Sequence, residues 1–155
     1  MAATTKRHGK AKRAKRGPER RHADYEILAA FRARLREFVA FSDRASETFG
    51  VTQPQYQALL ALRAHRDAGP LSIRGLASLL LIKHHSAVGM VDRLQRQGLV
   101  RREPSSQDRR VVAVRLTARG ARAVGKLAEL HRAELRRVAP ELKRIISFLA
   151  MPDPE

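Results

Sequence analysis

The fold class this sequence predicts is a mainly α domain carrying one small β-hairpin, with the longest helices near its two ends. Three observations predict it. Apolar residues recur at three- and four-residue steps along most of the chain. Glycine, proline and Ser/Thr residues stand where that period breaks, as helix stops and caps do. Near residue 99 the period changes to short β-branched runs around a polar turn.

In residues 24–49, Ile27, Leu28, Phe31, Leu35, Phe38, Val39 and Ala45 form one apolar stripe, and Gly50 stops the helix they define. Thr52-Gln53-Pro54-Gln55 then reads as a capping box. Thr52 caps, Gln55 reaches back, and Pro54 occupies the first turn, where its missing N–H costs little. The second helix should run to about residue 66 with Tyr56, Leu59, Leu60 and Ala64 inward. Ser72 should cap a short third helix with Leu76, Leu79 and Leu80 inside. After a turn at residues 81–83, residues 85–97 form a fourth helix with Ala87, Met90, Val91 and Leu94 at core spacing, closed by Gly98 in the left-handed conformation. Residues 99–103 and 111–116 are the two strands of a hairpin whose tip is polar and basic. Thr117 caps a last long helix over 118–138, Pro140 interrupts it, and residues 141–149 make one more short helix before a proline-rich end.

Charge points to the partner. The 155 residues carry 32 Lys and Arg against 15 acids, a formal net charge of +17, which favours a polyanion such as nucleic acid or an anionic membrane. Residues 1–22 hold net +8 and almost no large apolar side chain, so they read as a disordered basic arm that lies on phosphates or serves as a solubilising tail. Residues 72–116 hold a second concentration, net +6. With no cysteine, disulfides, thiolate metal sites and thiol catalysis are excluded. The longest apolar run, Leu79 to Ile82, is far short of the roughly 18 residues of a membrane span, and no secretory segment follows the basic start. A cytoplasmic protein with no membrane partner is expected. No phosphate loop, zinc-protease motif, nucleophile elbow or paired-carboxylate signature appears, so no enzyme is expected.

Three short helices followed by a two-stranded hairpin are the layout of a winged helix-turn-helix. A major groove about 12 Å wide admits one helix, and a hairpin beside it brings cations to the neighbouring minor groove. The chain resembles the multiple-antibiotic-resistance regulator (MarR) family of bacterial transcription factors from about residue 51 to 120. The matching pieces are Val51-Thr52-Gln53-Pro54-Gln55-Tyr56, Leu76-Ala77, Val91-Asp92-Arg93-Leu94, Gly98-Leu99-Val100-Arg101, Asp108-Arg109-Arg110 and Leu116-Thr117-Ala118-Arg119-Gly120.

The resemblance implies a DNA-binding core over residues 52–117 within a domain spanning 23–155, with dimerisation helices at 23–50 and 118–150. It also implies a recognition helix near residues 85–97, Arg110 entering the minor groove from the wing tip, and Asp108 steadying the wing. The candidate DNA contacts are His84, His85, Ser86, Val88, Gly89, Arg93, Arg96, Arg101, Arg102, Asp108, Arg109 and Arg110. Where Thr-Arg is common in the family, this chain has Val88-Gly89, so Val88 is expected on a thymine methyl and Gly89 where a backbone comes close. Arg93 and Arg96, three apart on one side, suit phosphates better than bases.

Adjacent His84 and His85 point about 100° apart on a helix and cannot chelate one metal together. His131 and Glu134 share a helix face and read as a surface pair. Phe31, Phe38, Phe41, Phe49, Tyr56 and His65 are either plain core or the lining of a pocket for a small aromatic or lipophilic effector, as the resemblance implies; no cofactor or metal is expected. Together these readings predict a homodimeric repressor on a pseudo-palindromic DNA operator, released by an effector. The alternative is an architectural winged-helix protein that compacts DNA with little sequence preference.

Overall fold

In the computed structural model the described residues are 18–65, 69, 71–104 and 112–151, and they form five helices and three short strands. The elements are α1 (Pro18–Glu47), α2 (Gln53–Ala64), β1 (Leu71–Ser72), α3 (Ile73–Leu80), α4 (His84–Arg96), β2 (Val100–Pro104), β3 (Val112–Leu116) and α5 (Ala118–Leu149). Residues 1–17, most of the expected arm, lie outside the described residues. The remainder of that arm, from Pro18, is already helix, so α1 begins before the expected boundary at residue 23. Among the described residues no helix is long and apolar enough to cross a membrane.

Local chemistry sets the helix starts. Thr52 forms the capping box in full: its hydroxyl accepts from the Gln55 N–H, and the Gln55 side chain accepts from the Thr52 N–H at 2.8 Å. Ser72 caps α3 through the Gly75 N–H at 3.1 Å. It also ends β1, a two-residue strand too short for any periodicity to reveal. Thr117 caps α5 through the Gly120 N–H at 3.0 Å and donates to the Gly98 carbonyl at 2.7 Å, tying α5 to the end of α4. Gly98 itself has φ +68°, the left-handed conformation that ends the helix turn and starts β2.

The sheet is antiparallel in the order β1-β3-β2, with Leu71 opposite Val114 and Arg101 opposite Arg115. Its buried side, Val100 and Val114, meets Leu59 of α2, Leu76 of α3, Val91 and Leu94 of α4, and Val124 and Leu127 of α5 in one apolar core. Ala87, Met90, Val91 and Leu94 are all buried as their spacing requires, which turns the opposite side of α4 outward.

Three expectations about facing need correction. Leu60 is 41% exposed and Leu79 47% exposed, and Ala64 is exposed too; Ala58 and Leu62 take the inward places on α2, and Leu76 and Ala77 on α3. An apolar residue next to a core stripe fits the helical pattern as well as one inside it, and only the neighbouring helix decides. Pro140 does not break the last helix: α5 runs unbroken for 32 residues. Pro140 lies on the exposed side, where its ring and its missing N–H face water rather than a packed neighbour.

Beyond the core, α1 and α5 pair lengthwise. His131 meets Ser42 at 2.8 Å and Arg34 meets Glu141 at 2.9 Å, so the two helices run antiparallel. Each helix also carries an exposed apolar stripe. Tyr25, Leu28, Leu35 and Val39 on α1, and Leu135, Ile146 and Leu149 on α5, stand exposed.

Candidate nucleic-acid interface

The turn before α4 sets how that helix is presented. Leu81 ends α3 in the left-handed conformation at φ +54°, unusual for a residue with a branched side chain, and it is 92% exposed. That conformation costs about 1–2 kcal/mol. It closes a tight corner through the Leu81 N–H to the Ser78 carbonyl and the Ile82 N–H to the Ala77 carbonyl. Lys83 then takes the N-cap position without a side-chain cap. Lys83, His84, His85 and Ser86 are exposed at the helix start, where free backbone N–H groups and the positive end of the helix dipole also point outward.

Along α4 the outward ridge passes from His85 to Gly89, Arg93 and Arg96, with Val88 and Gly89 half-buried beside it. The ridge therefore carries donors and cations on a helix whose other side is locked in the core. That is what a groove-reading helix needs: polar groups held in fixed positions and little freedom to lose on binding.

The hairpin is tied to this helix by one arginine. Arg102 of β2 donates to the Asp92 carboxylate at 2.6 Å and to the Gln95 side-chain oxygen at 2.8 Å. The Arg102 guanidinium is thereby engaged as a latch between wing and α4. Arg101 and Arg115, opposite each other across the strands, both pair with Glu103, the first at 3.1 Å. Arg101 remains exposed at the wing base. Arg96 bends back over its own helix, with Nε 3.5 Å from the Asp92 carbonyl, and its side chain stays exposed. Asp108, Arg109 and Arg110 lie outside the described residues. Asp92 and Gln95 were missed as site residues. An acid and an arginine ten positions apart give no sequence signal until the hairpin register is known.

The six residues expected to line one effector pocket are divided by the structure. Phe38, Phe41 and Tyr56 converge on His131, with ring centroids 6.0, 5.5 and 4.4 Å from the imidazole; the Tyr56 ring stacks on it and the phenylalanines meet it edge-on. Phe49 packs against the core, and Phe31 sits half-exposed on α1. His65 lies elsewhere, on a cavity of about 300 Å³ behind the hairpin, lined also by Leu62, Arg63, Leu71, Arg115 and Leu116.

His131 itself is a correction. Expected at the surface beside Glu134, it is only 7% exposed. Its Nδ1 is 2.7 Å from the Leu127 carbonyl, which can only accept, so Nδ1 carries a proton; Nε2 lies 2.8 Å from the Ser42 hydroxyl. Glu134, half-buried beside Phe41 and Arg44 of α1, accepts two bonds from Arg137, at 2.6 and 2.9 Å, which hold its carboxyl below the usual value. Burial pushes the Tyr56 phenol up. Among the described residues no group of three or more metal-ligating side chains occurs.

Residues 49–111 match the family model described as MarR family. Over this segment the chain is similar to the MarR family. The organic hydroperoxide resistance transcriptional regulator of Bacillus subtilis (strain 168) is 30% identical over 95 residues, covering 61% of this chain and 60% of that protein. The transcriptional activatory protein BadR of Rhodopseudomonas palustris is 34% identical over 77 residues, 50% of this chain and 44% of that one. The chain thus matches less than two thirds of the length of these relatives. The crystal structure of RV1404 from Mycobacterium tuberculosis superposes with a TM-score of 0.65 at 28% identity, covering 83% of this chain and 95% of that one. The crystal structure of AbsC, a MarR family transcriptional regulator from Streptomyces coelicolor, superposes with a TM-score of 0.62 at 27% identity, covering 74% of this chain and 79% of that one, so the winged-helix architecture is shared with a family member; the segment matched by the family model lies between α1 and β3.

Proposed function

We propose that the protein is a sequence-specific DNA-binding transcriptional regulator that acts as a homodimer and represses by occupying a pseudo-palindromic operator. The observation that carries this reading is the outward ridge of α4. Exposed His84, His85, Ser86, Arg93 and Arg96 stand on a helix seated in the core on its other side, and the hairpin is latched beside it. In this arrangement α4 enters the major groove, Arg96 and Arg101 meet phosphates, and Arg110 reaches the minor groove from the wing.

The apolar stripes on α1 and α5 support a second copy as partner. Seven large apolar side chains exposed on these two helices would cost more left in water than buried against a second copy. A two-fold axis there places two α4 helices one DNA turn, or a multiple of it, apart.

Release by a small, mostly apolar effector fits the cavity behind the hairpin better than the aromatic cluster around His131. The cavity touches the end of α2, β1, β3 and the start of α5, so a ligand preferring one arrangement of these elements shifts the spacing of the two α4 helices. The test is selection of bound duplexes from a random library at about 150 mM salt, where non-specific binding has weakened. A two-fold symmetric motif is expected. Equal retention of all sequences would replace this reading with architectural DNA compaction.

A further inference from the structure

We propose that Gly89 is a specificity-determining residue: the notch it leaves in the outer ridge of α4, walled by Val88, seats the C5-methyl group of a thymine. The inference rests on the DNA-binding reading above and names what one part of that surface recognises.

Glycine is the poorest helix former apart from proline, and Gly89 stands in the middle of the 13-residue α4. Nothing in the fold requires it there. Its φ is not left-handed, and a Cβ at this position would meet only the Arg93 Nη1, at 3.6 Å, an ordinary contact. The contrast with Gly120 is direct, since a Cβ there would lie 2.0 Å from the Leu99 carbonyl oxygen. The reason for a missing side chain at residue 89 therefore lies outside the chain, on the side facing the groove.

The notch has a definite character. His85 stands one turn before it and Arg93 one turn after, so both ends are polar. Val88 is the large apolar side chain beside it on that outward half of the helix, and it is half-buried. Neither Gly89 nor Val88 carries a side-chain hydrogen-bonding group, and mid-helix backbone N–H and C=O groups are already paired. What fits such a space is a protruding apolar group. The major groove offers one on an unmodified duplex, the thymine methyl; cytosine has only a hydrogen there.

The experiment uses the full-length protein and its selected operator, replacing each thymine singly by deoxyuridine, which deletes the methyl and leaves every hydrogen-bonding group. One position per half-site is expected to weaken binding on the order of fourfold, the worth of one buried methyl-sized group. Gly89→Ala and Gly89→Leu should melt a few degrees higher than the native protein, as better helix formers. Both should bind the native operator more weakly and be indifferent to the thymine-to-deoxyuridine change at that position. A selective native protein for which every such change is silent would overturn the methyl contact and leave the regulator reading intact. Equal weakening of the variants on all duplexes would also overturn it, making Gly89 a point of close backbone approach. A native protein with no selective duplex overturns both.

Discussion

One substitution, glycine to alanine, made at two places in α5 should change stability in opposite directions. At Gly120 the added Cβ would lie 2.0 Å from the Leu99 carbonyl oxygen, 2.9 Å from its carbon and 3.3 Å from the Leu99 Cα. A relaxed carbon–oxygen contact is about 3.3 Å or longer, so α5 and the start of β2 must part by about 1.3 Å. That separation strains the Thr117 N–H to Leu99 carbonyl bond, now 3.1 Å, and the Thr117 hydroxyl bonds to Gly98 and Leu99 at 2.7 and 3.2 Å. Overpacking costs about 1–3 kcal/mol and each weakened hydrogen bond about 1 kcal/mol, against about 1 kcal/mol gained in helix propensity. The net expectation for Gly120→Ala is a loss of about 3–5 kcal/mol, on the order of 10 °C in Tm. At Gly125, five residues on, a Cβ meets nothing within 4 Å. Gly125→Ala should therefore gain up to about 1 kcal/mol. Urea unfolding of both variants at one protein concentration, followed by circular dichroism, measures the difference. If Gly120→Ala falls within about 0.5 kcal/mol of the native protein, the close contact between α5 and β2 is not what the glycine serves, and the argument fails.

Arg102→Ala should lower operator affinity by loosening the wing while leaving the slope of log affinity against log salt unchanged. Arg96→Ala should reduce that slope by about one per protomer, and the opposite pattern would make Arg102 the phosphate ligand. Ile146→Glu, at a position 55% exposed in the single chain, should leave the fold intact but shift the protein from dimer to monomer in sedimentation, at any salt concentration. Burial raises the Tyr56 phenol above its ordinary value. The stability it contributes is thus fully present below about pH 10 and lost as pH rises through the folded value, so Tyr56→Phe should flatten the alkaline end of the stability profile relative to the native chain.

The architecture was legible in the residues because helix caps, stops and periodic stripes act over a few positions. Thr52 with Gln55, Ser72, Gly98 and Thr117 all function where their spacing puts them, and the α4 core stripe is buried in full. The resemblance in Leu116-Thr117-Ala118-Arg119-Gly120 also acquires a physical cause: Thr117 caps and Gly120 admits the Leu99 carbonyl. Legibility ended at helix edges, where Leu60 and Leu79 fit the apolar pattern but face water. It ended also at Pro140, whose cost depends on whether its side of the helix is packed or exposed.

By itself, the sequence determined the order of the first four helices and the two wing strands, the helix that faces outward and the cationic character of that surface, because each follows from interactions between residues three or four apart or from composition. Only the tertiary structure decided which of those cations remain available. Arg102 is held by Asp92 and Gln95 across a strand register, His131 is buried through Ser42, 89 residues away in the chain, and the expected pocket is split between two places. A long-range hydrogen bond depends on where two separate elements meet, and no local pattern encodes that meeting.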